Sequence, residues 1–287
     1  MNAFLDTTRP GLLAAARQAL QWRLLLLWLL GLALPLLLMS LPLFIALDSA
    51  LKQSLLGEQL LTEFNPALLI ELVSGLGERG YGMGSGLAGL IVYLLLLPWL
   101  SGLLISAARA PQRLGLGALL QGGLGEYGRM ARLWLWALLP LGLAGAIGGS
   151  LLHLVDKQAE KTILAADVEH LKQAALAVGG LLFLLANASL DAARAQLIVE
   201  PRRRSVVRAW WHGCRTLVLR PGRIVLYALV TLAGLLVAAL LGWLRIQLPP
   251  VSGPVFALDL LLGQMLVLAL VWMRCARLFA LVNAGRM

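Results

Sequence analysis

Six stretches of the chain are long, apolar and almost free of charge. They constrain its fold more than any other feature, because a helix needs about 20 residues to cross about 30 Å of hydrocarbon. The stretches are 24–47, 86–108, 133–153, 173–193, 224–244 and 254–274. Only 13% of the residues are charged, against about a quarter in soluble domains. The sequence therefore predicts an all-α integral membrane protein with six transmembrane helices. Polar breaks between the stretches disfavour the alternative, a set of buried helices in a large soluble core.

The basic residues predict how the six helices run. Lys and Arg accumulate in short loops on the cytoplasmic side, and 18 of the 24 basic residues lie at the two termini and in two loops, 109–132 and 194–223. Both termini are therefore expected to be cytoplasmic. The net charge of +10 lies beside the membrane spans and carries no motif for stacking on bases or reading a groove, so no nucleic-acid partner is expected. Anionic lipid headgroups are the expected counterions.

One motif suggests a nucleotide. GLGERG, residues 75–80, matches the Gly-x-Gly-x-x-Gly fingerprint of dinucleotide-binding folds, but that fingerprint works only between a strand and a helix. Asn65-Pro66 before it is typical of the start of a helix. Its predicted place is also on the outer face, within a segment, 48–85, that we expect to lie in the membrane interface. We interpret it as a flexible loop and expect no cofactor.

The ends of the returning spans indicate an internal repeat. ISAARA (105–110) and LDAARA (190–195) are alike, RCARL (274–278) is a looser version, and Arg109, Arg194 and Arg277 stand at nearly equal intervals. A basic segment of helical character precedes each outward span. The pattern favours three repeated helical hairpins in pseudo-threefold packing, although Ala and Arg at helix ends can also agree by chance. No inverted repeat of the kind common in transporters is visible.

Residues 204–223 form the most informative part of the basic loops. Ser205 is placed to cap a helix that Pro221-Gly222 would end. One predicted face holds Val206, Trp210, Cys214 and Leu217. A basic amphipathic helix with Trp at its boundary suits an anionic membrane surface, and the alternative is a plain connecting helix. The candidate lipid or partner contacts are Arg204, Arg208, Trp210, Trp211 and Arg215.

No catalytic or metal-binding constellation is apparent, so an enzyme is not expected. Polar residues inside the spans remain as candidates, because a charge in hydrocarbon usually has a partner or a purpose. They are Asp259, with Arg245 as its expected partner; Asp191, with Arg194 or Arg109; and the uncharged Asn187 and Gln264. These side chains are expected either to join helices by hydrogen bonds or to line a polar path.

The AARA endings, the Arg-rich amphipathic stretch and RPGR (220–223) resemble uncharacterised bacterial six-span inner-membrane proteins. They also resemble, weakly, the membrane domain attached to some glycerophosphodiester phosphodiesterases. The catalytic barrel of those enzymes has no counterpart here, so the resemblance implies only a bacterial inner (plasma) membrane location. The leading hypothesis is a non-catalytic scaffold or accessory protein that contacts anionic lipid, partner membrane proteins or a homo-oligomer copy. The alternative is a permease or transporter subunit for a small amphipathic or anionic solute.

Overall fold

The protein is helical throughout the part of the chain that its structure describes. This computed structural model describes residues 15–53, 83–110, 112–159, 165–203, 205–248 and 253–286. A short helix at 15–19 is followed by seven longer helices. These are α1 (Trp22–Gln53), α2 (Met83–Arg109), α3 (Leu116–Ala159), α4 (Ala165–Val199), α5 (Val206–Leu219), α6 (Pro221–Ile246) and α7 (Gly253–Arg286).

Every long helix except α5 is apolar enough to cross a membrane, which gives six candidate spans and confirms the predicted fold class. Each of the six predicted stretches lies inside one of these helices. Their surfaces carry many large apolar side chains in the open, such as Leu36, Leu139, Leu181 and Leu236. Contact between this apolar surface and water is unfavourable, whereas contact with lipid is not. By its helix composition, the chain is a multi-pass membrane protein.

Most helices extend beyond the predicted spans. Residues 116–132, part of the predicted basic loop 109–132, form the first turns of α3, which continues unbroken to Ala159. Ser205 caps α5 by accepting a hydrogen bond from the Arg208 backbone N–H, as its position predicted. Pro221 occupies the first turn of α6, where its missing N–H is not needed. GLGERG and most of the segment 48–85 lie outside the described residues.

The chain forms two compact units, Leu26–Leu100 and the rest. In the smaller unit, α1 and α2 run antiparallel, since Gly31 faces Leu100 whereas Gly89 faces Pro35 and Met39. A Cβ atom built on Gly89 would lie 2.9 Å from the Pro35 carbonyl oxygen. The two backbones therefore approach closely at this glycine, as small residues permit in membrane helices.

In the larger unit, α3 pairs with α4 and α6 pairs with α7, while α4 also packs against α5 and α7. Gly148 of α3 and Gly179 of α4 meet backbone to backbone. Arg223, at the start of α6, donates a hydrogen bond to the Ala284 carbonyl at the end of α7, at 2.8 Å. Most of the arginines lie at the end of the larger unit where α6 begins and α7 ends. We call it the arginine-rich end.

At the arginine-rich end, the last turns of α2, α4 and α7 each contact the helical segment that begins another pair of spans. The end of α2 crosses the start of α3 at Gly102 and Gly123, and the end of α4 crosses α5 at Gly213. The end of α7 meets the short helix 15–19, because the Trp272 Nε1–H donates to the Ala16 carbonyl at 3.2 Å.

The buried face of α5 differs from the predicted face at two of its four residues. Its buried residues are Val206, Ala209, Gly213 and Leu217, whereas Trp210 and Cys214 are half-buried at its edge. The reason is the close crossing with α4: a Cβ atom on Gly213 would lie 2.8 Å from the backbone carbon of Ala192. Hydrophobicity alone pointed to the larger side chains, but small residues let helices pack this closely.

We expect Gly213→Ala to destabilise the protein by about 1–3 kcal/mol, because the added methyl group would meet backbone atoms that cannot move aside. Gly180→Ala in α4 is the matched control, since nothing lies within 4 Å of its Cβ position and alanine favours the helix. The measurement is reversible unfolding of both variants in mixed micelles. Equal stability of the two variants would contradict the close crossing.

Candidate functional site

A buried carboxylate at the arginine-rich end joins three helices. Asp191 of α4 is 3% exposed and forms an ion pair with Arg194, one turn further along the same helix. The Tyr227 hydroxyl of α6 donates a hydrogen bond to Asp191 Oδ2 at 3.1 Å. Arg277 Nε of α7 lies 3.8 Å from the same oxygen. We call these four residues the Asp191 cluster.

The cluster neutralises a charge that would otherwise be strongly unfavourable in an apolar setting. Arg277 is itself 9% exposed, and its guanidinium carbon lies 5.1 Å from the centre of the Tyr227 ring. A cation at that distance from an aromatic ring is attracted to it. Because each buried charge depends on the others, the cluster fixes the relative positions of α4, α6 and α7.

A second group, the Glu126 cluster, consists of Arg109, Glu126 and Arg129. Arg109 at the end of α2 donates to Glu126 Oε1 of α3 at 2.5 Å, and Arg129 Nη1 lies 3.2 Å from Glu126 Oε2. Arg109 also donates to the Leu197 carbonyl near the end of α4, at 2.8 Å. All three side chains are half-buried. This cluster joins α2 and α3 to α4.

The three arginines of the repeat therefore share one environment. Arg109, Arg194 and Arg277 each lie beside a carboxylate at a helix junction. The sequence predicted Arg194 or Arg109 as the partner of Asp191. In the structure, Asp191 pairs with Arg194 and Arg277, and Arg109 pairs with Glu126. Glu126 and Tyr227 were not singled out from the sequence. The signal available in the sequence was that Glu126 is an isolated acid within a basic segment.

Arg245 and Asp259 form an ion pair at the opposite end of the α6–α7 hairpin. Arg245 Nε donates to Asp259 Oδ1 at 2.7 Å and Arg245 Nη2 donates to Asp259 Oδ2 at 3.0 Å. Two parallel bonds of this kind fix the orientation of both side chains. The pair joins the end of α6 to the start of α7.

The two uncharged polar candidates do not share a site. Asn187 of α4 is half-buried and donates to the Phe183 carbonyl of its own helix at 2.9 Å. Gln264 of α7 is exposed. Among the described residues, neither side chain bonds to another helix.

The exposed face of α5 carries two adjacent rows of residues. Val207, Trp211 and Val218 form an apolar row, and Trp211 is 65% exposed. Arg208, His212 and Arg215 form a basic row beside it, also exposed. Among the described residues, no carboxylate pairs with Arg208 or Arg215. Arg204, the other basic candidate, lies outside those residues.

Trp210, also a candidate contact, points inward instead. Its indole Nε1–H donates to Ser189 Oγ of α4 at 3.0 Å, and its ring packs edge-on against Trp136 of α3 at 5.6 Å between centroids. Trp210 therefore ties α5 to α3 and α4, whereas its neighbour Trp211 faces outward.

Comparison with protein-family models, with curated proteins and with solved structures finds no match. Within the described ranges, His, Cys, Asp and Glu side chains do not gather in groups of three, as a metal site would require. Cys214 and Cys275 are both free.

We expect Asp191→Ala to lower the free energy of unfolding by about 3–5 kcal/mol, because it leaves buried cations without their anion. Tyr227→Phe keeps the ring and removes one hydrogen bond to a carboxylate, so its expected loss is about 1.5–3 kcal/mol. Unfolding of both variants by titration with SDS in mixed micelles gives the two values. An Asp191→Ala protein as stable as the wild type would show that the cluster does not hold the helices together.

Proposed function

We propose that this protein is a non-catalytic scaffold or accessory protein of the bacterial inner membrane, and that it contacts anionic lipid through α5. The observation that carries the proposal is the exposed face of α5, where an apolar row with Trp211 lies beside a basic row. A helix lying in the membrane interface buries its apolar residues among the acyl chains and holds its arginines at the phosphates.

The fixed position of α5 supports this role. Gly213 meets the α4 backbone, and Trp210 is bonded to Ser189 and packed on Trp136. The opposite face of α5 is therefore presented in one orientation at the arginine-rich end. A helix held in this way has little further conformational freedom to lose on meeting a lipid surface.

The charges at helix junctions support a non-catalytic role. Asp191 and Glu126 are each engaged by two arginines, and Asp259 is held by Arg245. Carboxylates held by guanidinium groups of the same bundle join helices, and their charges are balanced within the protein. These groups support a packed bundle better than a general acid or base.

The proposed orientation places the arginine-rich end in the cytoplasm, with both termini on that side. Its support is the concentration of 18 of the 24 basic residues at the termini and in the two loops, together with the positive-inside rule. The same orientation sets α5 against the anionic lipid of the inner leaflet.

Lipid contact by α5 can be measured with a polarity-sensitive fluorophore at Val207→Cys, in a chain with Cys214→Ser and Cys275→Ala. We expect its emission to shift to the blue as phosphatidylglycerol is added to phosphatidylcholine vesicles that contain the protein. In Arg208→Gln/Arg215→Gln, the shift at a given phosphatidylglycerol fraction should be smaller, because about 1 kcal/mol of attraction to the anionic surface is lost for each arginine removed.

The control for this measurement is the same fluorophore at Leu240→Cys, on the exposed side of α6, where the emission should not depend on lipid charge. A probe at 207 that reports water in every lipid mixture would contradict the proposal. The result would then favour a plain connecting helix.

Labelling with a membrane-impermeant maleimide distinguishes the scaffold from a permease and tests the orientation. In the same cysteine-free background, we expect protection of Asn187→Cys and Gln264→Cys, because Asn187 is half-buried in the bundle and Gln264 lies on an outer surface that lipid would cover. Lys172→Cys should react in spheroplasts with an intact inner membrane, and Arg215→Cys only after that membrane is permeabilised. Native Cys214 must be removed although it reacts slowly: burial raises the pKa of its thiol, and the thiolate is the reactive form.

Labelling of both Asn187→Cys and Gln264→Cys would establish a water-filled path and support the permease hypothesis. Reaction of Arg215→Cys before permeabilisation would reverse the proposed orientation.

A further inference from the structure

An apolar groove of about 480 Å³ runs between α4 and α6. A volume of this size is in the range of small-molecule binding sites. Its walls include Leu181, Leu185 and Ala188 of α4, and Ala228 and Leu232 of α6. At the arginine-rich end, the groove begins close to the hydrogen bond between Tyr227 and Asp191.

The two hydroxyl-bearing residues in the groove wall do not make it polar. The Tyr227 hydroxyl donates a hydrogen bond to Asp191, and Thr231 Oγ1 donates one to the Tyr227 carbonyl at 2.7 Å. Both hydrogen-bonding groups are satisfied within the protein. The wall therefore suits a purely hydrocarbon ligand, because nothing in it would be left unpaired when that ligand replaces bulk lipid.

The length of the groove matches one leaflet. Its α6 wall runs from Ile224 to Leu235, about 16 Å at 1.5 Å per residue. This is about half of the roughly 30 Å thickness of the hydrocarbon core. An acyl chain anchored in one leaflet has this reach, whereas a partner transmembrane helix would need a groove along the whole span.

Two arginines lie at the end of α6 where the groove begins, just before its first wall residue, Ile224, although Arg223 itself borders a smaller cavity beside α4 and α5. Arg220 precedes α6 and Arg223 lies in its first turn, which has no acidic residue and no side-chain cap. The positive end of a helix dipole disfavours cations and attracts anions. Arg220 is exposed and pairs with no carboxylate in the described part of the chain. Arg223 donates to Ala284 and retains further N–H donors.

We propose that the groove between α4 and α6 holds one acyl chain of an anionic glycerophospholipid whose phosphate is bound by Arg220 and Arg223. The hydrocarbon wall and the reach of one leaflet fit the acyl chain, and the two cations at one end fit the phosphate. The inference shares its partner chemistry with the proposed function of α5 but uses different residues, so either can fail alone.

The test is native mass spectrometry of the full-length protein, purified in a neutral detergent and supplied with phosphatidylglycerol or phosphatidylcholine. We expect the wild type to retain one phosphatidylglycerol, with a preference of about thirtyfold over phosphatidylcholine if each arginine contributes as basic residues do at membrane surfaces. Arg220→Gln/Arg223→Gln should remove this preference. Arg113→Gln/Arg132→Gln, with the same change of charge on two exposed arginines outside α5 and α6, should keep it.

The groove itself is tested by Ala228→Trp, which fills it and should abolish retention of both lipids. The matched control is Ala239→Trp, on an exposed position of α6 outside the groove lining. If Ala228→Trp fails to fold, Ala228→Leu should lower retention in part.

Two results would overturn the proposal. Equal retention of the two lipids by the wild type would show that the protein has no site for the anionic headgroup. Full retention by a folded Ala228→Trp protein would show that the arginines bind an anion without the groove.

Discussion

The buried carboxylate of Asp191 is the constraint on which the packing of the larger unit depends. An ionised group in an apolar bundle needs cations and donors around it, and here they come from three helices: Arg194, Tyr227 and Arg277. Glu126 does the same for α2 and α3. Since apolar surface gives membrane helices little reason to prefer each other over lipid, these charge clusters and the close glycine crossings supply the specificity of packing.

The arginines of this chain fall into two sets with different roles. Arg109, Arg194 and Arg277 turn inward to carboxylates, whereas Arg208, Arg215 and Arg220 point outward without them. The positive-inside rule treats both sets alike because it counts charges and ignores the direction in which each side chain points. The inward set holds the helix ends together, and the outward set contains the arginines that we propose as lipid contacts.

The sequence predicted the spans well because hydrocarbon thickness imposes a length that hydropathy reveals, and the Ser205 cap followed from local chemistry. The pairing of Arg245 with Asp259 could be anticipated because a short connection joins their helices. The face of α5 could not be assigned correctly, since Gly213 has no hydropathy signal and matters only through the backbone it meets. Tyr227 was missed for a similar reason: its partner, Asp191, is 36 residues away, and a tyrosine in a span has many other uses.

The continuity of α3 has a mechanical consequence. Its 44 residues make a rod of about 66 Å, roughly twice the hydrocarbon thickness, with Pro140 as its only proline. The half that begins at Leu116 carries Glu126 and reaches the membrane without a loop or hinge before that proline. A force applied to this half is therefore transmitted along the helix into the bilayer. Pro140 is the position at which the helix would bend first.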